Sequence, residues 1–212
     1  MAARAVLFDF NGTLSQDEPI LCEIFMELFA EQGRPLSQQE YFDELAGLSD
    51  PEIVRTWLGP DHPAVDEVIE ERIRRYQLAV ADGSTVPEEI RAAVRYAAAR
   101  VPVGIVSGAA RAEIEPVLAG AGISDAVTAI VPAEDVERGK PYPDGYARAC
   151  ELLRVDASET VAVEDTEAGV ASAKDAGLRC IAVLGTLSPA RLLRADEIVE
   201  RVDVPLMERL LA

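Results

Sequence analysis

Short apolar segments that alternate with amphipathic ones constrain the fold of this chain more than any other feature. Apolar runs of strand length occupy residues 4–10, 101–108, 126–132, 159–166 and 178–185. Helical spacing of apolar residues fills the segments between the later runs, at 88–99, 110–123, 143–155 and 167–177. Alternation of this kind is typical of parallel βα units whose sheet is covered on both faces. The sequence therefore predicts an α/β protein, with a distortion at Pro116 inside one helix.

The stretch from residue 15 to about 85 interrupts this alternation. Its apolar residues recur at helical spacing, a Ser-x-x-Glu capping box starts at Ser37, and Gly47 and Gly59 follow two of the periodic segments. This pattern predicts a bundle of about four helices inserted after the first strand.

The insertion divides the chain into two predicted units. Residues 1–14 and 86–212 form the α/β core, and residues 15–85 form a helical cap. Open α/β sheets bind ligands at the carboxyl ends of their strands. A helical block that leaves the sheet at the end of the first strand is therefore placed to act as a lid.

Charge and composition exclude several kinds of partner. Lys and Arg total 20 against 38 Asp and Glu, a formal net charge of −18, which disfavours nucleic acids and anionic membranes. No secretory signal pattern opens the chain and no apolar run approaches ~18 residues, so a soluble cytoplasmic protein is expected. Three cysteines without metal-ligand spacing predict free thiols in a reducing compartment. Monomer and dimer both remain open.

Polar residues with complementary chemistry follow three of the predicted strands. They are Asp9 and Asn11, Ser107 and Gly108, and Glu164 and Asp165, with Lys140 in the loop before another helix. Two carboxylates and a backbone carbonyl suit Mg²⁺, a hard cation that prefers oxygen ligands. A hydroxyl, a lysine and backbone N–H groups suit a phosphate. A carboxylate that faces a bound phosphorus can act as a nucleophile and form an aspartyl phosphate.

These motifs resemble those of the haloacid dehalogenase superfamily. "DFNGTL" (9–14) resembles its Asp-x-Asp-Gly-Thr motif, "VSG" (106–108) its Ser/Thr motif, "GKP" (139–141) its lysine motif and "VEDTEAGVASAKDAG" (163–177) its acidic motif. All four occur in order along essentially the full chain. The chain is similar to the subfamily of phosphoglycolate phosphatase and β-phosphoglucomutase, in which a helical cap follows the first motif. The resemblance implies a Rossmann-like core and Mg²⁺-dependent hydrolysis of a small phosphorylated metabolite.

The same resemblance implies a role for each motif residue. Asp9 is the nucleophile, and Asp9, the main-chain carbonyl of Asn11 and Asp165 are the metal ligands. Glu164 orients metal-bound water. The phosphoryl oxygens are bound by Ser107, the backbone at Gly108 and Lys140, which also offsets the charge of Asp9.

Asn11 departs from the family pattern, because this position usually holds a second aspartate that acts as general acid and base. A carboxamide forms hydrogen bonds but does not exchange a proton with the leaving group. Losing such help typically costs ~10²–10⁴-fold in rate. Three interpretations remain: a phosphatase that is slow or restricted to good leaving groups such as acyl phosphates, a catalytically impaired phospho-ligand-binding protein, and a phosphomutase.

Other branches of the superfamily that vary this position fit less well. Phosphonoacetaldehyde hydrolase needs a cap lysine, and residues 15–85 contain none. Haloacid dehalogenases dispense with the metal, which the pair Glu164 and Asp165 argues against. P-type ATPases need membrane helices.

Four cap residues are candidates for substrate contact. The stretch "LAGLSDPEIVRTWLG" (45–59) resembles the part of the cap that faces the active site, and offers Leu48, Ser49, Asp50 and Arg55. Arg72 and Arg75 are further candidates for binding a second anion, with solvated helix arginines as the alternative. Trp57 is expected in the cap core and His62 in a surface loop. The substrate cannot be named from these residues.

Overall fold

The computed structural model describes residues 2–212, which contain a six-stranded parallel sheet of order β3-β2-β1-β4-β5-β6. The strands are β1 (Ala5–Phe8), β2 (Val103–Val106), β3 (Ala129–Val131), β4 (Thr160–Glu164), β5 (Arg179–Val183) and β6 (Glu197–Val199). Every neighbouring pair is parallel. The predicted α/β class is confirmed.

Helices connect the strands and form the inserted block. They are α1 (Glu18–Glu31), α2 (Gln38–Glu40), α3 (Asp50–Leu58), α4 (Val65–Val80), α5 (Glu88–Ala98), α6 (Arg111–Gly120), α7 (Asp144–Leu153), α8 (Glu167–Asp175) and α9 (Val204–Leu211). A π-helical turn, Tyr41–Leu45, follows α2 directly. None of these helices is long and apolar enough to cross a membrane.

The central strand β1 contributes its side chains alternately to two hydrophobic layers, as the pleat requires. Val6 and Phe8 pack in the layer that includes the buried residues of α5, α6 and α9. Ala5 and Leu7 pack in the layer under α7 and α8. Because both faces are covered, the strands carry continuous apolar runs. This burial fixes β1 between β2 and β4 and so fixes where its carboxyl end lies.

The inserted block begins and ends at the same place on the core. The hydroxyl of Ser15 donates to Oγ1 of Thr85 at 2.7 Å, and the Gln16 amide donates to the Thr85 carbonyl at 2.8 Å. The capping box predicted at Ser37 is present, with the Glu40 side chain accepting from the Ser37 backbone. The division of the chain at residues 14 and 85 into two domains remains a prediction.

The segment around Pro116 is helical, since α6 runs from Arg111 to Gly120 with the proline inside it. Proline has no N–H, so the carbonyl of Ala112, four residues earlier, lacks its helical donor. The side chain of Gln77 in α4 supplies one, with Nε2 3.0 Å from the Ala112 oxygen. An inserted helix thus satisfies the carbonyl that proline leaves free.

The sequence did not predict β6 and α9. Strand β6 has three half-buried residues, too few to show a period. Helix α9 does carry signals, since the Asp203 carboxylate caps the Leu206 amide at 2.9 Å and Pro205 lies in the first turn.

Candidate active site

Four buried side chains meet at the carboxyl edge of the sheet because β2, β1 and β4 are adjacent. Asp9 follows β1, Ser107 follows β2, and Glu164 and Asp165 lie at the end of β4. The Asp9 amide donates to the Val163 carbonyl at 2.9 Å, which extends the ladder to the nucleophile candidate. Parallel order alone therefore brings together residues more than 150 positions apart.

Lys140 reaches this edge from the loop before α7. Its Nζ lies 2.5 Å from Oδ1 of Asp9 and 2.6 Å from Oε1 of Glu164. Burial alone would lower the pKa of Lys140, but the carboxylates of Asp9 and Glu164 outweigh it and raise that pKa above its ordinary value. The ammonium group of Lys140 thus lies between the carboxylates of Asp9 and Glu164.

Glu164 is fully buried and held on all sides. The Tyr146 hydroxyl donates to Oε1 at 2.6 Å, and the Asp165 amide donates to Oε2 at 3.3 Å. A Cβ on Gly169, in the first turn of α8, would lie 1.9 Å from Oε2, so only glycine leaves room for the carboxylate. Burial raises the pKa of Glu164 to about 7, although Lys140 opposes the shift.

Asp165 completes a cluster that is rich in negative charge. Asp9, Glu164 and Asp165 are all buried and offer carboxylate oxygens within 4.8 Å of one another. Burial raises the pKa of Asp165 well above its usual range, and the charges of Asp9 and Glu164 add to the shift. Thr186 donates to its Oδ2, and Thr13 donates to its Oδ1 at 3.4 Å. Three hard oxygen donors with one lysine among them have the chemistry of a divalent cation site.

The second strand presents Ser107 and Gly108 to the same edge. The Ser107 Oγ accepts a hydrogen bond from the Ala109 amide at 3.0 Å, which fixes the turn that leads into α6. Gly108 is exposed, and a Cβ there would meet no atom within 4 Å. The turn thus leaves the backbone of Gly108 accessible to a ligand.

The side chain of Asn11 makes its contacts with the inserted block. Its Nδ2 donates to Oδ2 of Asp17 at 2.9 Å and to the Tyr76 hydroxyl at 3.1 Å. The Tyr76 hydroxyl donates to Oδ2 of the same aspartate, and the Gly12 amide lies 3.4 Å from Oδ1. Burial raises the pKa of Asp17, while the bonds from Tyr76 and other donors oppose that shift.

Gly47, in the candidate stretch 45–59 of the cap, lies beside core residues at the catalytic edge. A Cβ on Gly47, where φ is +87°, would lie 3.3 Å from Cγ2 of Thr166 and 3.9 Å from Cδ1 of Leu187. Leu48 beside it is 39% exposed, and the hydroxyl of Ser49 donates to Glu52 at 2.6 Å in a second capping box. Gly47 therefore borders the core, and Ser49, two residues further on, caps α3.

The arginines of the cap have carboxylate partners or face solvent. Arg72 is buried and pairs with Asp50 of α3 and Glu113 of α6. Arg75 pairs with Glu27, Glu31 and Glu71. Arg55 is exposed on α3. Arg72 and Arg75, the candidates for binding a second anion, are thus already paired with carboxylates of the protein.

Trp57 and the cysteines behave as the sequence indicated. Trp57 is partly buried in the cap core, where Nε1 donates to the Arg34 carbonyl at 2.9 Å. His62 lies in a surface turn and accepts from the Ala64 amide at 3.3 Å. The three cysteines, Cys22, Cys150 and Cys180, are buried free thiols.

Comparison with known proteins decides the family. A model of the haloacid dehalogenase-like hydrolases matches residues 6–183. The chain belongs to this family. Validoxylamine A 7′-phosphate phosphatase of Streptomyces hygroscopicus subsp. limoneus is 29% identical over 211 residues that cover 93% of each chain. Phosphoglycolate phosphatase of Yersinia pestis is 28% identical and covers 85% of this chain and 80% of its own.

A solved structure supports the same assignment. CbbY from Rhodobacter sphaeroides in complex with phosphate superposes with a TM-score of 0.84 at 25% identity, covering 94% of this chain and 95% of that one. The predicted Rossmann-like core with an inserted helical block is thereby confirmed as a haloacid dehalogenase fold. The prediction of a phosphatase of this family is confirmed by the family match and by relatives that are phosphatases.

Several residues at this site escaped the sequence analysis. They are Asp17, Glu18, Tyr76, Tyr146, Gly169 and Thr186. Gly169 lies within the quoted acidic motif, where a glycine one turn after two acids was an available signal. The others act through tertiary contacts, which the local pattern does not encode.

Proposed function

We propose that this haloacid dehalogenase-like hydrolase is a Mg²⁺-dependent phosphatase that acts through a phosphoenzyme on Asp9. The coarse activity, hydrolysis of a small phosphorylated metabolite, follows from the family and its phosphatase relatives. The observation that carries the finer proposal is the buried Asp9 carboxylate, held by Lys140 at 2.5 Å beside Asp165 and Glu164. A fixed carboxylate beside a cation site suits in-line attack on phosphorus.

The metal ligands in this proposal are Asp9, Asp165 and the main-chain carbonyl of Asn11. The carboxylate of Glu164 already accepts from Lys140 and Tyr146, so its role is to orient water around the metal. When bound, Mg²⁺ would supply positive charge that offsets the negative charge of the phosphoryl group. The concentration of buried carboxylates around Asp165 supports this choice.

The phosphoryl oxygens are assigned to Ser107, the backbone at Gly108 and Lys140. Ser107 lies on the strand next to Asp9, and its hydroxyl hydrogen remains available because Oγ acts as the acceptor toward Ala109. Gly108 leaves open space at the start of the turn into α6. The lysine also offsets the negative charge of Asp9, 2.5 Å from its Nζ.

Asn11 restricts the leaving groups in this proposal. Without a carboxyl group at position 11, the departing oxygen receives no proton from that residue. Acyl and aryl phosphates need little protonation, so they should turn over faster than alkyl phosphates, by a factor on the order of 10² or more.

The negative charge of the carboxylates around Glu18 narrows the class of substrate further. Burial raises the pKa of Glu18, at the start of α1, and the negative charges of Asp17, Asp9 and Asp50 add to the shift. The buried cap arginine Arg72 is already paired with Asp50 and Glu113. A second anionic group on the substrate would meet carboxylates here. We therefore infer that the part of the substrate beyond its phosphoryl group carries no negative charge, as in a polyol phosphate, an amino-polyol phosphate or acetyl phosphate.

A non-catalytic phospho-ligand-binding protein is the second candidate, favoured by the amide at position 11. Steady-state assays with acetyl phosphate, p-nitrophenyl phosphate, glycerol 1-phosphate and phosphoglycolate, with and without Mg²⁺, separate the two functions. The phosphatase predicts Mg²⁺-dependent turnover in about that order of decreasing rate. Binding of these phosphates with no turnover of any of them would establish the second candidate instead.

Intact-mass analysis after exposure to acetyl phosphate tests the covalent step directly. The protein should gain one phosphoryl group, and the Asp9→Asn variant should neither gain it nor show turnover. The control is Asp66→Asn, an exposed aspartate in the first turn of α4, which should leave the adduct unchanged. Activity or an adduct that survives Asp9→Asn would remove Asp9 as the nucleophile.

A further inference from the structure

The loop that carries Lys140 is not held in place by burial of its side chains. Most of residues 137–143 are exposed, and Tyr142 is 50% exposed. Two prolines in this stretch remove two backbone donors, and the Tyr142 amide donates within the loop, to the Gly139 carbonyl at 3.0 Å. Yet Nζ of Lys140 occupies a defined point, 2.5 Å from Oδ1 of Asp9. Something outside the loop must therefore fix where the lysine side chain begins.

Ser172 of α8 connects this loop to the core. Its side chain is fully buried, and its hydroxyl donates to the Tyr142 carbonyl at 2.5 Å. A serine inside a helix usually turns its hydroxyl to solvent or to the carbonyl four residues earlier, so the helix itself does not require this bond. Among the hydrogen bonds of residues 2–212, it is the one that joins residues 137–143 to a segment beyond α7, apart from those of the Lys140 ammonium group.

The face of α8 that carries Ser172 also shapes the acid that pairs with the lysine. Gly169 lies three residues earlier and therefore on the same face of the helix. The absence of a side chain there leaves the space that the Glu164 carboxylate occupies. Oε1 of Glu164 lies 2.6 Å from Nζ of Lys140. One helix thus places the acid through a glycine and the loop of the lysine through a hydroxyl group.

We propose that Ser172 is a positioning residue for Lys140, which it places by holding the Tyr142 carbonyl. Tyr142 lies two residues after Lys140, so this bond fixes the backbone from which the flexible lysine side chain extends. The ammonium group then meets Asp9 and the phosphoryl oxygens without a search among loop conformations. The proposal rests on the phosphatase function, in which Lys140 binds the phosphoryl group.

Hydrogen exchange of the Tyr142 amide, followed by NMR in EDTA, tests the loop without any need for activity. In Ser172→Ala this amide should exchange about fivefold faster or more, because the loop opens more often when the bond from α8 is lost.

The matched control is Thr160→Val. The Thr160 hydroxyl is also buried and donates to a backbone carbonyl, that of Asp156 at 2.9 Å, but at the amino end of β4. The two variants should lose similar stability in urea, and the control should leave the exchange of the Tyr142 amide unchanged.

The Mg²⁺-dependent affinity for inorganic phosphate, measured by calorimetry, tests the lysine. The dissociation constant should rise about fivefold or more in Ser172→Ala and stay within about twofold of the wild type in Thr160→Val. Ser172→Thr and Ser172→Val give a second comparison, because these side chains have nearly the same shape and only threonine has a hydroxyl. Ser172→Thr should remain closer to the wild type than Ser172→Val in both the exchange rate and the phosphate affinity.

Four results would overturn the proposal. The first is unchanged exchange of the Tyr142 amide in Ser172→Ala. The second is equal effects of Ser172→Ala and Thr160→Val, which would trace both to lost stability alone. The third is equal behaviour of Ser172→Thr and Ser172→Val. The fourth is faster exchange with unchanged phosphate affinity, which would mean that the bond holds the loop but does not position the lysine.

Failure of the phosphatase function has a different signature. The wild type would then neither bind phosphate in the presence of Mg²⁺ nor hydrolyse p-nitrophenyl phosphate. If the Tyr142 amide still exchanged faster in Ser172→Ala and not in Thr160→Val, the connection between Ser172 and the lysine loop would stand without that function.

Discussion

Replacing Glu18 by glutamine should stabilise the protein, and increasingly so as the pH rises. Glu18 begins α1, is half-buried, and accepts a hydrogen bond from the Tyr41 hydroxyl at 3.4 Å. Burial raises its pKa from 4.5 to about 7, and the negative charges of Asp17, Asp9 and Asp50 add to the effect. Glutamine keeps the acceptor and removes the charge.

The sign follows from proton binding. The native carboxyl holds its proton up to about pH 7, whereas the unfolded chain loses it near pH 4.5. Between these values the native state binds more protons, so the stability of the wild type falls as the pH rises. The loss of stability that Glu18 causes in the wild type is small below pH 4.5 and complete above pH 7. The glutamine variant has no such titration.

The magnitude follows from the size of the shift. A displacement from 4.5 to about 7 corresponds to about 3 kcal/mol at about 1.4 kcal/mol per unit. Solvent screens a half-buried group, and a carboxylate in the first turn of a helix gains about 0.3–1 kcal/mol that glutamine lacks. We therefore expect the stability difference between variant and wild type to grow by about 1–2 kcal/mol from pH 5 to pH 8.

Urea unfolding of both proteins at several pH values between 5 and 8, in EDTA, measures this difference. Taking the variant minus the wild type cancels the other carboxylates, which titrate in both proteins. Glu23→Gln, at an exposed position of the same helix, is the matched control and should give a flat difference. A flat or falling difference for Glu18→Gln would refute the argument that burial and neighbouring acids hold its proton.

Two further substitutions test the packing of the site. Gly12→Ala should lower the stability by about 2 kcal/mol or more and disturb the acidic cluster. The φ of this residue is +74°, and the added Cβ would lie 2.0 Å from Oδ2 of Asp165. Thermal unfolding measures the loss of stability. Arg72→Met should cost about 3–5 kcal/mol, because it leaves Asp50 and Glu113 without their cation; urea unfolding measures it.

Each of these has a control in the same chain. Gly33 has nearly the same φ, +73°, with no atom within 4 Å of an added Cβ, so Gly33→Ala isolates the backbone strain of about 1 kcal/mol. Arg74→Met removes an arginine from the same helix as Arg72 but breaks only an exposed pair with Glu71, and should cost less than about 1 kcal/mol. If Gly33→Ala lowered stability as much as Gly12→Ala, the predicted clash with Asp165 would be wrong. If Arg74→Met lowered stability as much as Arg72→Met, the buried pairing of Arg72 with Asp50 and Glu113 would not contribute as argued.

The sequence anticipated the strands and helices whose pattern is local. Residues such as Val6 and Phe8 lie in continuous apolar runs because both faces of the sheet are covered, and that run length is visible without a structure. The capping box at Ser37 was equally visible, since its partners are three residues apart. Strand β6 was missed because three half-buried residues carry no period.

The residues of the candidate site were expected from the sequence, but some of their contacts were not. Asp9, Ser107, Lys140 and Asp165 were expected together because parallel strands present their carboxyl ends at one edge. The hydrogen bonds of the Asn11 side chain were not expected, because one of them reaches Tyr76, 65 positions away in sequence. A residue type states which hydrogen bonds are possible, and only the packed neighbours decide which are formed.

The sequence by itself determined the family and which polar residues follow which strands. It also determined the presence of an amide where the family usually has an acid. Those properties follow from local pattern and from residue identity. The tertiary structure alone decided that Asp17 and Tyr76 hold the amide nitrogen, that Arg72 is neutralised by Asp50 and Glu113, and that Glu18 joins the acids around Asp9. The physical reason is that burial and the neighbouring charge set the behaviour of a polar group, and both depend on residues brought together from distant parts of the chain.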